Sequence, residues 1–501
     1  MWSKARKSIS LLAITSILCT MLAACGGTTP TPTATTGGGG AVATDTTTTG
    51  GVTPTDTTTT EATATTAAPE ATATTGGGEA TATTSTGGGT GGGFTSGGPI
   101  TLPGNCANTE ISYWTPLGGP DGETMTRLTT DFNTANPNVK VNITTGSFQD
   151  YITQLGTAAA SGTLPDIAII NEDQVATQAF RNVLRPIPDE QLAQIGVTKA
   201  DYPDVAWNAG QVAGKTYAIP LSFVAMTMYV NQDMLTAAGI DKIPTTKEEF
   251  EAAAAAMTKD GNNGFLITTG FPVQQIFQML LHQYGGSEFS ADGTKATWNS
   301  DAGVQALTWM KDAVGKYGQP NLEVDADLNA FKAGTAGMIW NGIWQVPSLT
   351  GEAVSFKGVA APVPQIGTQP AVWAGGPLLT FTKTATPDAC KDTVGAMFYK
   401  YLIDHSVDWA KGGNIPANNK ARESAEFKAL PHAAVGPSVA NPVFPPSVPG
   451  IGDAFAPLGN AIGTVLTGAE PDIKKALDTA AENANTILAE NKKNYGDAPQ
   501  P

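Results

Sequence analysis

Ala160–Ile170 reads ASGTLPDIAII. Gly162 stops whatever precedes it, and Pro165-Asp166 punctuates the chain. Ile167–Ile170 then runs apolar without alternation. Such a run suits a strand buried on both faces, as in a parallel sheet with helices on either side. Working outward, Phe148–Ala160 has helical character, and Val139–Ile143 reads as a strand. Gly122–Ala135 carries Met125, Leu128 and Phe132 at helical spacing and ends before Asn136-Pro137. Glu110–Trp114 is another short strand. This β-α-β-α-β order predicts a doubly wound α/β lobe whose ligand edge lies at the C-terminal ends of its strands. Trp114 ends one strand there, and Asn171, Glu172 and Asp173 follow another.

Further along, Gly214–Pro220 reads as a crossing strand and Met226–Asn231 as an apolar one. Pro244-Thr245-Thr246 opens a helix over Lys247–Met257, with Thr245 and Glu248 spaced as a capping box. A second α/β lobe begins there. Helices are predicted over Gln274–Tyr284, Asp301–Tyr317, Pro387–Ile403 and Asp472–Asn491, with a strand crossing back at Val359–Pro364. Phe331–Trp344, FKAGTAGMIWNGIW, places Trp340 and Trp344 either side of an Asn341-Gly342 turn. Indole faces beside an amide suit a sugar: the rings stack on its CH face and the amide bonds its hydroxyls.

Composition narrows the function classes. The 501 residues carry a formal charge of −16, which argues against nucleic acid or an anionic membrane surface as partner. The four cysteines, Cys19, Cys25, Cys106 and Cys390, form no C-x-x-C, and the three histidines are scattered. Metal and Cys-His chemistry are poorly supplied, and no cofactor is expected. Residues 1–25 read as an export signal: Lys4, Arg6 and Lys7, then the apolar Ile9–Leu18. That apolar run is shorter than the roughly 20 residues of a spanning helix. Leu22-Ala23-Ala24-Cys25-Gly26 resembles the bacterial lipobox, which implies a diacylated Cys25 fixed to the outer face of the cytoplasmic membrane or facing a periplasm. Residues 26–105 are rich in Thr and Gly and too poor in large apolar side chains to fold. As a random coil, about 70 such residues reach about 45–50 Å.

From Cys106 onward the segments resemble bacterial extracellular solute-binding proteins of family 1, the sugar-binding group that includes maltose-binding-like proteins. FNTANPNVKV (Phe132–Val141), ASGTLPDIAII, GKTYAIPL and MYVNQDMLTAAGI (Met228–Ile240) carry the resemblance, followed by PTTKEEF, HQYGG, FKAGTAGMIWNGIW and GGNIPA (Gly412–Ala417). Lys247 stands where the family usually has Trp. The resemblance implies a two-lobed, periplasmic-binding-protein-like (type II) α/β fold over 106–501. Lobe 1 would take about 106–218 and 365–435, and lobe 2 about 224–360 and 443–501. Hinge crossings are expected near Ile219–Phe223, Ala361–Pro364 and Val435–Pro442. Closure of the lobes on a ligand would present a monomeric carrier to membrane permease subunits of the ABC type, without covalent chemistry.

Placed on that layout, the candidate ligand contacts are Trp114, Asn171, Glu172 and Asp173 from lobe 1, and Trp340, Asn341 and Trp344 from lobe 2. Trp373 with Gly375 follows the second crossing, and Trp409 and Asn414 sit near a third edge. Trp207 and Trp298 are assigned to packing. The layout also returns the helix holding Cys390 to the lobe where the body begins, so a Cys106–Cys390 disulfide or two free thiols are the alternatives in a thiol-poor compartment.

The only arginines of the body are Arg127, Arg181, Arg185 and Arg422, none in these motifs. An anionic ligand would call for a placed guanidinium, so a neutral mono- to oligosaccharide is expected. Two rivals stand beside this. A secreted carbohydrate-active enzyme needs two carboxylates held about 5 Å or 6.5–9.5 Å apart, whereas Glu172 and Asp173 are sequence neighbours. A stalked surface adhesion module would suit the Thr-rich linker, but such modules are mostly β-sandwiches.

Overall fold

The computed structural model describes residues 97–495 apart from 147–149, 320–321 and 441, and these fall within one compact unit, 87–501. The signal, Cys25 and nearly all of the linker lie outside the described residues, as does the expected helix start at Phe148. Lobe 1 opens with β1 (Thr109–Thr115), α1 (Pro120–Ala135), β2 (Val139–Thr145), α2 (Tyr151–Ser161), β3 (Ile167–Asn171) and α3 (Glu172–Phe180). Pro120 begins α1 with its ring preset for a helix, and Asp121 and Glu123 face the positive end of the dipole. Gly162 closes α2 in the left-handed region, φ 71°. β1 runs parallel to β2 and β3. The first four residues of β3 are buried, as a central strand covered on both faces requires.

The chain leaves lobe 1 after β4 (Ala218–Pro220) and turns at Leu221 into β5 (Ser222–Asn231). β5 is the spine of lobe 2. It pairs with β7 (Ala336–Gly342) at 226–230, and β7 pairs in turn with β6 (Asn263–Leu266). β8 (Gly358–Pro362) lies on β5 at 227–231 and β9 (Val372–Gly375) at 224–225. The chain then returns to lobe 1 as β10 (Pro377–Phe381), antiparallel to both β3 and β4. The second crossing is therefore Gly375-Gly376, not Ala361–Pro364. The segment after β8 stays with lobe 2 because Gln283 grips it. Its Oε1 accepts from Ile366 N–H at 2.6 Å and Gly367 N–H at 3.1 Å, and its Nε2 donates to the Ala371 carbonyl at 3.1 Å. Gly376 is required where the crossings touch, since a Cβ there would lie 2.1 Å from the Ser222 carbonyl oxygen.

Helices cover the lobe 2 sheet: α4 (Lys247–Met257), α5 (Val273–Gln283) and α6 (Asp301–Tyr317). The capping box of α4 is one residue later than the sequence spacing suggests. Thr246 caps, and Glu249 reaches back to it, because the helix begins at Lys247. α7 (Ala389–Asp404) returns to lobe 1, where Phe398 meets Tyr113 and Phe132 edge-on at 5.3 and 5.2 Å. Cys390, in its first turn, forms a disulfide with Cys106, 284 positions earlier. The tail helices α8 (Ala456–Leu466) and α9 (Ile473–Tyr495) pack on α5 and α6 of lobe 2.

Candidate functional site

On lobe 2, β7 ends at Asn341-Gly342, and Trp344 follows in a single 3-10 turn, Ile343–Gln345. Its indole folds back over Gly342 so closely that a Cβ there would lie 2.0 Å from the ring. The indole stacks on Phe271, with centroids 5.8 Å apart and planes at 23°. Gly413, at φ 96°, lets the chain of the third edge pass beside Trp344, because a Cβ would meet the Ile343 carbonyl oxygen at 2.4 Å. Trp344 and Phe271 are each half-buried, and nearby Val324, in contact with Gly270, is 57% exposed. The result is an aromatic ledge at the C-terminal edge of the lobe 2 sheet.

On lobe 1, β3 runs straight into α3, so Glu172 and Asp173 stand in the first helical turn. The Glu172 carboxylate accepts the Gly376 N–H at 2.9 Å and lies against Gly375, where a Cβ would come within 2.5 Å of Oε1. Asp173 accepts from Gln174 Nε2 at 3.4 Å and faces Gly452 of the tail. Beyond it, Arg181 bridges Asp453 at 3.0 Å and Tyr495 at 2.7 Å, and Thr177 Oγ1 accepts the Gly450 N–H at 2.7 Å. α3 is thus sewn to the lobe 2 tail. Burial pushes both carboxyls upward; the neighbouring Asp173 adds to the rise at Glu172, and Asp453 to that at Asp173.

This acid pair makes stability depend on pH in a definite sense. A carboxyl raised in the folded state binds more protons there than in the unfolded chain, so its cost is absent at low pH and grows as pH rises above about 4.5. Glu172→Gln keeps an acceptor for Gly376 but cannot ionise. Its melting temperature is expected to match wild type near pH 4 and exceed it at pH 8, by on the order of 1 kcal/mol of stability. Parallel melting curves at all pH values would refute the assignment.

The structure gathers Glu172, Gly375 and, two positions before it on β9, the half-buried Trp373 around the second crossing. Asn171 ends β3 opposite Pro377, half-buried. Four other candidates are sealed. Trp340 is 0% exposed, packed against Phe250, Phe265 and Trp309 at 5.2, 5.0 and 5.4 Å. β7 is covered on both faces, so alternation does not turn Trp340 outward. Trp409 is equally buried and donates from Nε1 to Ser222 Oγ at 2.9 Å. Ser222 Oγ in turn donates to Asn414 Oδ1 at 3.2 Å, which places Asn414 in the hinge core. Asn341 is buried: its Oδ1 accepts the Gly342 N–H at 2.8 Å, and its Nδ2 reaches Asp327 at 3.5 Å.

Trp114 is half-buried on the α2 face of its sheet, away from the ledge, where Tyr151 donates to its carbonyl oxygen at 2.9 Å. Trp207 and Trp298 are core. Sequence reasoning missed Phe271 and the buried Asp327, whose carboxyl burial pushes up to about 6. Phe271 lies on a loop that carries no motif, and Asp327, in the first turn of the helix Ala326–Lys332, sits in a stretch that begins like a calcium loop but lacks its glycine and its closing glutamate; each meets the edge only through the folded path of the chain. Among the described residues no group of His, Cys, Asp and Glu is placed to hold a metal ion, and no helix is long and apolar enough to cross a membrane.

Residues 127–435 match the family described as bacterial extracellular solute-binding protein. The galactooligosaccharide-binding protein of Bacillus subtilis is 22% identical over 362 residues, 69% of this chain and 82% of that protein. The maltodextrin-binding protein MdxE of the same organism is 25% identical over 393 residues, 74% of this chain and 88% of that protein. An ABC substrate-binding protein of Listeria monocytogenes, solved in complex with cycloalternan, superposes with TM-score 0.66 at 25% identity, over 76% of this chain and 99% of that one. The GacH receptor of Streptomyces glaucescens, solved unliganded and with acarbose, shares the fold with TM-score 0.68 at 21% identity, again over 76% and 99%.

Proposed function

This chain belongs to the bacterial extracellular solute-binding protein family, and we propose that it captures a neutral sugar or oligosaccharide between its lobes and delivers it unaltered to the permease of an ABC importer. The carrying observation is the half-buried Trp344–Phe271 ledge at the end of β7 on lobe 2, a stacking surface of the kind a pyranose ring requires. The acid pair at the start of α3 and the Trp373–Gly375 strand supply acceptors and a further aromatic face from the crossing. Relatives named for galactooligosaccharides and maltodextrins support the same ligand class. Diacylation of Cys25 would hold the mature protein at the outer membrane face, and the Thr/Gly-rich linker would let it range from there.

A thermal-shift screen of the mature chain against malto- and galactooligosaccharides, polyols and polyamines tests the ligand class. A ligand present at 100 times its Kd adds about 2.7 kcal/mol of stability, a shift easily read. A rise with saccharides is expected, and a rise with polyamines alone would overturn the assignment.

A further inference from the structure

Among the described residues, Trp114, Trp344 and Trp373 are the tryptophans that are not buried. Trp344 and Trp373 belong to the site above. Trp114 does not. It forms part of the wall of a groove of about 340 Å³ along the exposed side of α2, together with Asp150, Thr153, Gln154, Thr157 and Ser161. Glu172, Trp344 and Trp373 do not line it. That volume lies at the lower end of the roughly 300–1,000 Å³ of small-ligand pockets, room for one or two sugar rings.

The polar lining is of one kind. Thr157 Oγ1 donates to the Thr153 carbonyl at 3.0 Å, and Ser161 Oγ to the Thr157 carbonyl at 3.0 Å. The Thr157 hydrogen is committed to the helix and its oxygen is left as an acceptor, while Ser161 Oγ and Thr163 Oγ1, 2.8 Å apart, share one hydrogen bond between them. Asp150 precedes the helix without a side-chain capping bond and adds a carboxylate. Gln154 contributes an amide that both donates and accepts. No Lys, Arg or His lines the groove, so a phosphate or carboxylate ligand finds no countercharge. Many acceptors, one amide and one indole face are matched by a molecule rich in hydroxyl donors with an apolar CH face.

We propose that the Trp114 groove along α2 of lobe 1 is a second saccharide-binding site, distinct from the one lined by Glu172, Trp344 and Trp373 and suited to a short stretch of a neutral glycan chain. It does not depend on closure of the lobes, because every lining residue belongs to lobe 1.

The test is affinity electrophoresis of the mature chain through gels containing soluble amylose, dextran, galactan or mannan. Wild type and Trp344→Ala are both expected to be retarded by at least one glycan. Thr157→Arg fills the groove from an exposed position without touching the core. It is expected to weaken that retardation roughly tenfold, the effect of losing a ring-sized contact, while keeping the thermal shift with small saccharides. Trp114→Leu should reproduce the loss. Absence of retardation with every glycan, its abolition by Trp344→Ala alone, or its survival in Thr157→Arg would each overturn the proposal. Failure of the interlobe reading is seen separately, as a missing thermal shift while the groove still retards.

Discussion

Trp340→Ala is expected to lower stability by about 3–5 kcal/mol, whereas Trp344→Ala, four positions on, should leave the melting temperature within a few degrees of wild type and cut sugar affinity instead. Trp340 is the centre of an aromatic cluster with Phe250, Phe265 and Trp309, the last stacked on it at 13° between planes. Removing its indole from a fully covered β7 leaves a cavity that the three elements packed on it, α4, β6 and α6, cannot refill. Trp344 has one face on Phe271 and part of its ring uncovered. Losing it removes a stacking partner at the cleft edge, worth roughly 2–3 kcal/mol or about 30- to 140-fold in Kd. Denaturant melts and calorimetric titration with the best saccharide of the screen measure both quantities. Equal loss of stability in the two variants would show that the distinction between core and ledge is misplaced.

Breaking the Cys106–Cys390 bond, by reduction or as Cys106→Ser/Cys390→Ser, is expected to lower the stability of lobe 1 by about 2–4 kcal/mol. The bond closes a loop spanning 284 positions, and loops of that size restrict the unfolded chain strongly. It also pins the 3-10 turn Gly104–Cys106 to α7, whose Phe398 packs between β1 and α1. Cys390 is partly exposed, so a reductant reaches it without unfolding. The measurement is a melting curve with and without reductant, with thiols counted by alkylation in each sample. An unchanged melt in a sample whose thiols are shown to be free would contradict the expectation.

The reading of the chain from its order alone went furthest where a local pattern implies a global layer. The unbroken Ile167–Ile170 run, flanked by helical periods, demands a strand covered on both sides, and β3 is such a strand. Its exit into Glu172 and Asp173 places those acids at the strand end, because a parallel sheet always presents its C-terminal ends on one edge. The capping position of α4 missed by one residue because Thr245 and Thr246 both offer a hydroxyl with a Glu three positions on. Local chemistry is nearly degenerate there, and the helix start decides.

Which tryptophans are sealed and which stay partly exposed was settled only by the fold. Trp340, Trp344, Trp409 and Trp114 are equivalent as side chains, and period-2 alternation distinguishes inside from outside only when one face of a sheet is bare. β5 and β7 are covered on both faces, so what lies over each indole comes from segments remote in sequence: Phe250 and Trp309 over Trp340, Ser222 beside Trp409, Phe271 under Trp344. The second crossing moved to Gly375-Gly376 for the same reason, since Gln283, about 80 positions earlier, holds the preceding segment on lobe 2. Periodicity and turn chemistry act over a few residues and determine the layers and their order. Burial of a given ring depends on contacts across hundreds of residues, and those exist only once the lobes have formed.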